Sequence, residues 1–257
     1  MGSMKIPANL KKQIEIGKTP SALHKSKYSR VLLLGPTSSG KSLLSRLLAK
    51  HIVSSEGDNF KSIGMGSLFR DMLKRLGMNV TTGGKLLDDN IAWKILNKEL
   101  AGMKNFILEG FPKTSSQVKK LKDSENLPDI IFNLKISRKG TEKINEGRLN
   151  CQNSDCKKIY HEAIKELEPK IDNKCCDKPL KRRGADHSPK TFREKREVFD
   201  KNIKPIINKF KKLGKEVIDI NITEKGARGG KIREVRDVLA EMISVLKAGN
   251  FMKREAA

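Results

Sequence analysis

Short apolar runs alternate along this chain with longer segments in which apolar residues recur every three or four positions. The runs predict β-strands at 31–34, 106–109, 130–136 and 217–221, with 61–63 as a shorter fifth candidate. The segments between them have the spacing of amphipathic helices. Strands separated by helices form βαβ units, so the pattern predicts a three-layer α/β fold with a central five-stranded parallel sheet. Ligands of such folds bind at the carboxyl ends of the strands.

Two segments fall outside the strand candidates. Residues 149–190 are polar, are rich in lysine and aspartate and contain every cysteine, so we predict an insertion into the α/β fold. Residues 231–252 carry apolar side chains at helical spacing, which predicts an amphipathic helix packed on the sheet.

Candidate chemistry begins in the glycine-rich segment directly after the first apolar run. The segment reads Gly35-Pro36-Thr37-Ser38-Ser39-Gly40-Lys41-Ser42, and Leu43 follows it at the start of a helical pattern. A strand, a loop of this type and a helix direct successive backbone N–H groups and the positive end of the helix dipole at one point, where a polyphosphate binds. Lys41 would contact the β- and γ-phosphates, and the Ser42 hydroxyl would contact magnesium. Residues 35–43 are therefore predicted to bind a nucleoside triphosphate with its Mg²⁺.

The charge of the chain restricts its partners less than this loop does. There are 54 Lys and Arg against 30 Asp and Glu, and the net charge of +24 attracts polyanions of any kind. Nucleotide phosphates are the smallest such partner. Nucleic acid is the alternative, but the basic residues are distributed along the whole chain and aromatic residues make up 5%, so stacking platforms for bases are few. No apolar segment has the length needed to cross a bilayer, and we expect a soluble protein without a membrane partner.

A second motif gives the loop a family context. Residues 105–117 contain an apolar run that ends in Glu109, followed by Gly110-Phe111-Pro112, a base at Lys113 and Gln117. This arrangement resembles the signature of adenylate kinases and of their nucleoside monophosphate kinase relatives. Further segments resemble landmarks of that family, in the family's order along nearly the whole chain, at 62–70, 84–89, 147–148, 156–161, 179–186 and 191–199.

The resemblance implies both an organisation and an activity. The implied parts are a basic extension at 1–28, a P-loop core domain at 29–63, 98–147 and 188–257, a helical lobe for the nucleoside monophosphate at 64–97, and a lid at 148–187. The implied activity is that of a monomeric phosphotransferase, which reversibly transfers the γ-phosphoryl group of Mg-ATP to AMP and gives two ADP. A cytoplasmic location is expected, with a mitochondrial one as the alternative because residues 5–28 contain six lysines and one acid.

Phosphoryl transfer between two nucleotides requires cations that come together when the lobes of the enzyme close. By the resemblance, these catalytic candidates are Lys41, Arg70, Lys113, Arg148, Arg183 and Lys195. Glu109 takes the position of the family's aspartate near the magnesium-bound waters. The candidates for substrate binding are Met65, Arg70, Leu87, Gly110, Lys113 and Gln117. The amide of Gln117 is able to pair with the Watson–Crick edge of adenine, which favours AMP as the acceptor.

Several positions depart from the family pattern. Lys113 and Lys195 replace arginines, and a lysine lacks the planar two-pronged contact that a guanidinium makes with phosphate. Ile144 replaces a base-stacking arginine, which leaves the donor base open, and Gly64-Met65 replaces a Ser-Thr pair on the acceptor side. The alternatives are therefore a GTP:AMP kinase or another nucleoside monophosphate kinase, or a catalytically impaired nucleotide-binding relative. A basic nucleic-acid-binding P-loop protein is the least favoured.

A further candidate site lies in the predicted lid. Its cysteines are Cys151, Cys156, Cys175 and Cys176. They resemble the four-cysteine lids of some family members, in which thiolates bind a structural zinc. The second pair consists of adjacent residues, which rarely both reach one tetrahedral ion, so three cysteines completed by Asp177 or His161 are an alternative. Four reduced thiols without metal are another, and a stable disulfide is not expected in a cytosolic enzyme.

Overall fold

The computed structural model describes residues 8–14, 20, 22–78, 86–153, 156, 158–162, 164, 167, 174–182, 188–224 and 231–249. Its helices are α1 (Ala8–Gln13), α2 (Lys41–His51), α3 (Met65–Arg75), α4 (Asp89–Leu100), α5 (Ser115–Asp123), α6 (Arg138–Glu146), α7 (Pro189–Lys212) and α8 (Val235–Ala248). Its strands are β1 (His24–Lys25), β2 (Arg30–Leu34), β3 (Ile52–Val53), β4 (Lys61–Gly64), β5 (Phe106–Glu109), β6 (Ile130–Lys135), β7 (Arg148–Asn150), β8 (Ile159–His161), β9 (Lys174–Cys175), β10 (Lys178–Pro179) and β11 (Glu216–Asn221). Within these ranges, no helix is both long enough and apolar enough to cross a membrane.

A parallel sheet of five strands lies at the centre of the fold, in the order β11-β6-β2-β5-β4. This confirms the predicted sheet, and each observed strand differs from its predicted run by at most one residue at either end. From β2 the chain continues to β4 and β5 on one side of the sheet, and then to β6 and β11 on the other. The order of the strands therefore reverses beside β2, which is the place where open parallel sheets bind ligands.

Helices cover both faces of this sheet. Alternate residues of a strand point to opposite faces, and in β2 Val31 and Leu33 belong to one buried cluster whereas Leu32 and Leu34 belong to the other. The first cluster is closed mainly by α2 and α8, and the second by α4, α5 and α7. The arrangement is the predicted three-layer α/β fold.

The C-terminal helix has the predicted apolar face but begins later than its pattern predicted. Residues 231–233 are extended, because Ile232 pairs with Thr223 and the Arg233 N–H donates to the carbonyl of Ile222. The helix α8 therefore starts at Val235. It ends at Ala248, and residues 250–252 of the predicted helix lie outside the described residues.

The described part of the basic N-terminal segment packs on the core. Leu10 and Ile14 are buried in the cluster that α8 closes, and Lys11 Nζ lies 2.9 Å from a carboxylate oxygen of Asp237. The strand β1 pairs in parallel with β3, at the end of α2. This segment therefore supports the helix that follows the glycine-rich loop.

The cysteine-containing block forms small strand pairs separate from the central sheet. The strands β7 and β8 pair antiparallel, as do β9 and β10, and a bridge between Asn150 and Lys181 links this region further. Leu149, Cys175 and Leu180 form a small buried cluster of their own. The described residues of the block thus have a small local core, and the prediction of an insertion stays a prediction.

Candidate active site

The loop between β2 and α2 requires glycine at two positions, for space at Gly35 and for backbone conformation at Gly40. A Cβ atom at Gly35 would lie 2.8 Å from Ser39 Oγ and 3.0 Å from Leu134 Cβ. Gly40 has a φ of 85°, which side chains disfavour, and its carbonyl accepts a hydrogen bond from the Leu43 N–H at 3.0 Å as α2 begins. These two glycines allow the chain to turn tightly from β2 into α2. A strand, a tight loop and a helix in this order direct backbone N–H groups into one crevice.

Lys41 is the first residue of α2, and its ammonium group turns back over the loop. Nζ donates to the carbonyl oxygens of Gly35 at 2.7 Å and Pro36 at 2.6 Å. Burial lowers the pKa of Lys41 to about 8, the Glu109 carboxylate opposes that change, and nearby cations add to it. A bound polyphosphate would reverse the shift, because a neighbouring negative charge favours the protonated amine.

Ser42 and Glu109 form a hydroxyl–carboxylate pair at the carboxyl end of β5. Ser42 Oγ donates to Glu109 Oε1 at 2.8 Å. Hydroxyl and carboxylate oxygens are ligands that magnesium prefers, directly or through its waters. Ser42 directly follows Lys41 in the sequence. The oxygen atoms of Ser42 and Glu109 therefore fit a magnesium ion next to the phosphates that Lys41 would contact.

A cavity of about 780 Å³ opens beside this pair and brings cations from distant parts of the chain together. Five of the six predicted catalytic cations line it, namely Lys41, Arg70, Lys113, Arg148 and Lys195. They lie on α2, on α3, after β5, on β7 and on α7. The sixth, Arg183, lies outside the described residues. Such a group of positive charges in one cleft can stabilise the charge of two phosphate chains.

The predicted substrate-binding residues divide into two groups. Arg70, Gly110 and Lys113 line the cavity. The part of the cavity wall that the described residues form does not include Met65, Leu87 or Gln117. Met65 is buried in the core, and Leu87 packs against that same core.

Gln117 is held by the protein through both ends of its amide. Its Oε1 accepts from the Lys113 N–H at 2.7 Å, and its Nε2 donates to a carboxylate oxygen of Asp89 at 2.7 Å. The other carboxylate oxygen of Asp89 accepts from Thr114 Oγ1 at 2.9 Å. Asp89 therefore fixes the residue that was predicted to recognise the base. In the sequence, Asp89 is part of the family landmark at 84–89, and an acid at the start of a helical pattern is the only signal of its role.

Arg46 is a cavity residue that the sequence analysis missed. It lies on α2, one helical turn after Ser42, and it lines the same cavity. Burial lowers its pKa, and the Glu109 carboxylate opposes that change. Residues four positions apart share a helix face, so the spacing from Ser42 was a signal for it.

The four cysteines come together in the structure. Their sulfur atoms all lie within 4.8 Å of one another, and this is the single group of three or more potential metal ligands in the described part of the chain. Cys156 Sγ lies 3.5 Å from Cys175 Sγ, and Cys175 Sγ lies 3.7 Å from Cys176 Sγ. Cys176 and Asp177 both have positive φ angles, so a tight turn brings the two adjacent thiols to one side. A tetrahedral set of sulfur ligands is what zinc prefers.

Comparisons with known proteins place this site in a family. A family model described as an AAA domain matches residues 34–165, about half of the chain. An adenylate kinase from Petrotoga mobilis is 28% identical over 233 residues, which cover 86% of this chain and 99% of the relative. One from Clostridium botulinum (strain Loch Maree) is 30% identical over 210 residues, covering 76% of this chain and 92% of the relative. One from Ureaplasma urealyticum is 30% identical, covering 71% of this chain and 86% of the relative. Two of these relatives are 30% identical and are matched over more than two thirds of both chains, and the chain therefore belongs to the adenylate kinase family of phosphotransferases.

Proposed function

We propose that this protein is a nucleoside monophosphate kinase of the adenylate kinase type, which transfers the γ-phosphoryl group of Mg-ATP to AMP and gives two ADP. The observation that supports this most directly is the single cavity lined by the P-loop, by Glu109 and by cations from several elements. Two polyanionic substrates need such a set, because their phosphate chains must approach each other in line. The names of the relatives agree with the proposal.

On the donor side, the P-loop N–H groups and Lys41 would bind the β- and γ-phosphates. Lys41 would exchange the carbonyls of Gly35 and Pro36 for phosphate oxygens, which also hold the ammonium group charged. Ser42 and Glu109 would hold the magnesium ion. Magnesium, when bound, supplies charge neutralisation of the β- and γ-phosphates.

On the acceptor side, the monophosphate is already ionised, so the reaction requires no general base. Arg70 and Lys113 would hold the acceptor phosphate, while Arg148 and Lys195 would neutralise charge on the phosphoryl group in transfer. A lysine supplies charge without the two-pronged geometry of arginine, so Lys113 and Lys195 would orient phosphate less strictly. For Arg183, the role in transfer stays a prediction from the sequence.

The acceptor base is proposed to be adenine, and recognition of it would require a change of partners. Gln117 is 2% exposed, and its amide is bonded to the Lys113 N–H and to Asp89. An adenine edge offers one donor and one acceptor, so it would replace those two bonds with equivalent ones. We propose that the lobe at 64–97 moves when AMP binds and that this movement allows the exchange.

The test is a matrix of nucleoside triphosphates against nucleoside monophosphates, with purified protein and magnesium. We expect the largest kcat/KM for ATP with AMP, and we expect two adenosines joined by five phosphates to raise the melting temperature, since that molecule binds only the native state. A different best pair would change the assigned bases. If no pair gives a nucleoside diphosphate, the protein is a nucleotide-binding relative without transfer activity.

We also propose that the cysteine cluster binds a structural zinc ion, which would hold the two strand pairs of the lid at 148–187 together. The mutual distances of the four sulfur atoms support this. Metal analysis of protein purified without chelator should find about one zinc per chain, and Cys175→Ser should abolish it. Asp177→Asn is the matched control, and loss of zinc in that variant would show that the aspartate is a ligand in place of one cysteine.

A further inference from the structure

Gly64 is glycine for reasons of space and not of backbone conformation. It is the last residue of β4 and pairs in register with Glu109 of β5. Its φ of −113° and ψ of 116° are ordinary extended angles, which any residue adopts. A Cβ atom at this position would nevertheless lie 2.5 Å from Glu109 Oε1 and 3.1 Å from Ser67 Oγ. A side chain is therefore excluded here by its neighbours.

The atom that excludes it belongs to the phosphate site. The same oxygen, Glu109 Oε1, accepts the hydrogen bond from Ser42 Oγ at 2.8 Å. Glu109 is flexible at its end, so an added methyl group at residue 64 would move the carboxylate and leave the strands in place. The movement would break the contact with Ser42.

We propose that Gly64 is a positioning residue for magnesium–nucleotide binding, and that Gly64 and Glu109 act as a matched pair. The missing side chain at 64 leaves the volume in which the longer acid at 109 reaches Ser42. A methyl group at 64 is then tolerated only when residue 109 is shorter, because an aspartate ends nearer its own strand and clear of that volume. This inference rests on the proposed function in assigning magnesium to the Ser42–Glu109 pair.

The test is a double-mutant cycle on the full-length protein, with Gly64→Ala, Glu109→Asp and their combination. Calorimetry measures ATP affinity with saturating magnesium and again with EDTA, and the ratio of the two affinities reports the contribution of the metal. We expect Gly64→Ala to reduce that ratio about tenfold when residue 109 is glutamate. When residue 109 is aspartate, the same methyl group should reduce it less than about twofold.

Two controls separate positioning from general damage. In EDTA, ATP affinity should respond to Gly64→Ala by less than about twofold, since the loop N–H groups and the Lys41 side chain stay in place. Ser67→Ala removes the other atom close to residue 64, the hydroxyl that donates to the Gly64 carbonyl at 2.8 Å, and should leave the magnesium ratio unchanged. Equal losses from Gly64→Ala in both backgrounds, or no loss in either, would overturn the proposal.

The outcome does not depend on turnover. If Gly64→Ala does not fold, the combined variant must fold for the matched pair to stand, and a combined variant that also fails to fold overturns it. A cycle with the expected ratios in a protein that forms no ADP would support the inference and reject the proposed function. If the wild-type protein transfers phosphoryl groups but the cycle shows no coupling between residues 64 and 109, the proposed function stands and this inference is rejected.

Discussion

The residues proposed to bind phosphate line the cavity, whereas those proposed to recognise the acceptor base are buried behind its wall. Lys41 and Arg70 line the cavity, and a phosphate would meet them without a change of fold. Met65 is 4% exposed and Gln117 is 2% exposed, and neither belongs to the part of the wall that the described residues form. The proposed phosphate contacts are thus formed in advance, whereas the proposed base contacts would require a rearrangement.

Lys41 and Gln117 also differ in how far along the sequence their hydrogen-bond partners lie. Lys41 is fixed by carbonyls five and six residues before it, so the loop holds its own lysine. One end of the Gln117 amide is held by the nearby Lys113 N–H, but the other end is held by Asp89, 28 residues away, and this contact joins the start of α4 to α5. A local loop keeps its geometry when other parts move, but a contact between two helices changes when either of them shifts.

The largest effect should come from the phosphate side. Lys41→Met removes the cation of the P-loop, and we expect kcat for ADP formation to fall at least about a thousandfold, because a charge-stabilising group is lost where the transition state needs it. A coupled assay measures the rate, and the melting temperature should change little. Lys50→Met, on the exposed end of the same helix, is the matched control. A loss below tenfold would exclude Lys41 from transfer.

The next effect should separate the acceptor from the donor. Arg70→Ala removes a cation of α3 that lines the cavity, and we expect KM for the monophosphate to rise about 10- to 100-fold, as for a hydrogen bond to a charged group. ATP affinity should stay within twofold, about the scatter of a neutral substitution. Arg75→Ala, at the exposed end of α3, is the control. Equal losses for both substrates would mean that Arg70 acts on the fold.

The base side should respond in stability more than in phosphate binding. Asp89→Ala removes the acceptors of the buried Gln117 Nε2 and the half-buried Thr114 Oγ1. We expect the free energy of unfolding to fall by about 1–3 kcal/mol, the cost of leaving such donors unpaired. Urea denaturation measures it, with exposed Asp123→Ala as the control. Discrimination between monophosphates should weaken while ATP affinity holds. If Asp89→Ala discriminates between monophosphates as the wild type does, Gln117 does not select the base.

The sheet and the P-loop could be predicted from the sequence because their signals are local. An apolar run, a glycine-rich loop and a helical pattern occupy consecutive residues from 31 to 48, and the structure places them as β2, the loop and α2. Runs of apolar residues mark β2, β5 and β6, and apolar residues at alternate positions mark β11, whereas β4 has Ile63 as its one large apolar residue. Element ends were less certain, and α8 begins late because residues 231–233 pair with 222–224.

The contacts that decide the rest join residues far apart in sequence. In the sequence, Gly64 and Glu109 are two separate departures from the family pattern, and only the 2.5 Å approach of a Cβ at residue 64 to Glu109 Oε1 connects them. Adjacent cysteines rarely both reach one tetrahedral ion, yet the positive φ of Cys176 brings the thiols of Cys175 and Cys176 to the same cluster. A single sequence carries no sign of such close approaches, because neither residue type is unusual by itself.

The smallest effect should appear behind the donor side, where α2 ends. Burial lowers the pKa of His24, with help from Lys247 and His51, and burial lowers the pKa of His51 although its hydrogen bond to the Leu47 carbonyl opposes this. Unfolded histidines titrate near pH 6.5, so below that pH the unfolded chain binds protons that the folded chain resists. Stability should therefore be complete above about pH 6.5 and should fall as the pH decreases through the lowered folded values.

Urea denaturation between pH 8 and pH 5 measures this slope, and we expect a smaller loss than for Asp89→Ala. The double variant His24→Gln, His51→Gln should flatten the slope without removing it, because burial also lowers the pKa of His161 on β8. Acid would then weaken the support of α2 by the N-terminal segment, while the bonds of Asp89 to Gln117 and Thr114 contain no histidine. If the double variant keeps the wild-type dependence of the free energy of unfolding on pH, the acid sensitivity comes from groups other than His24 and His51. Acid would then not act on the support of α2 by the N-terminal segment.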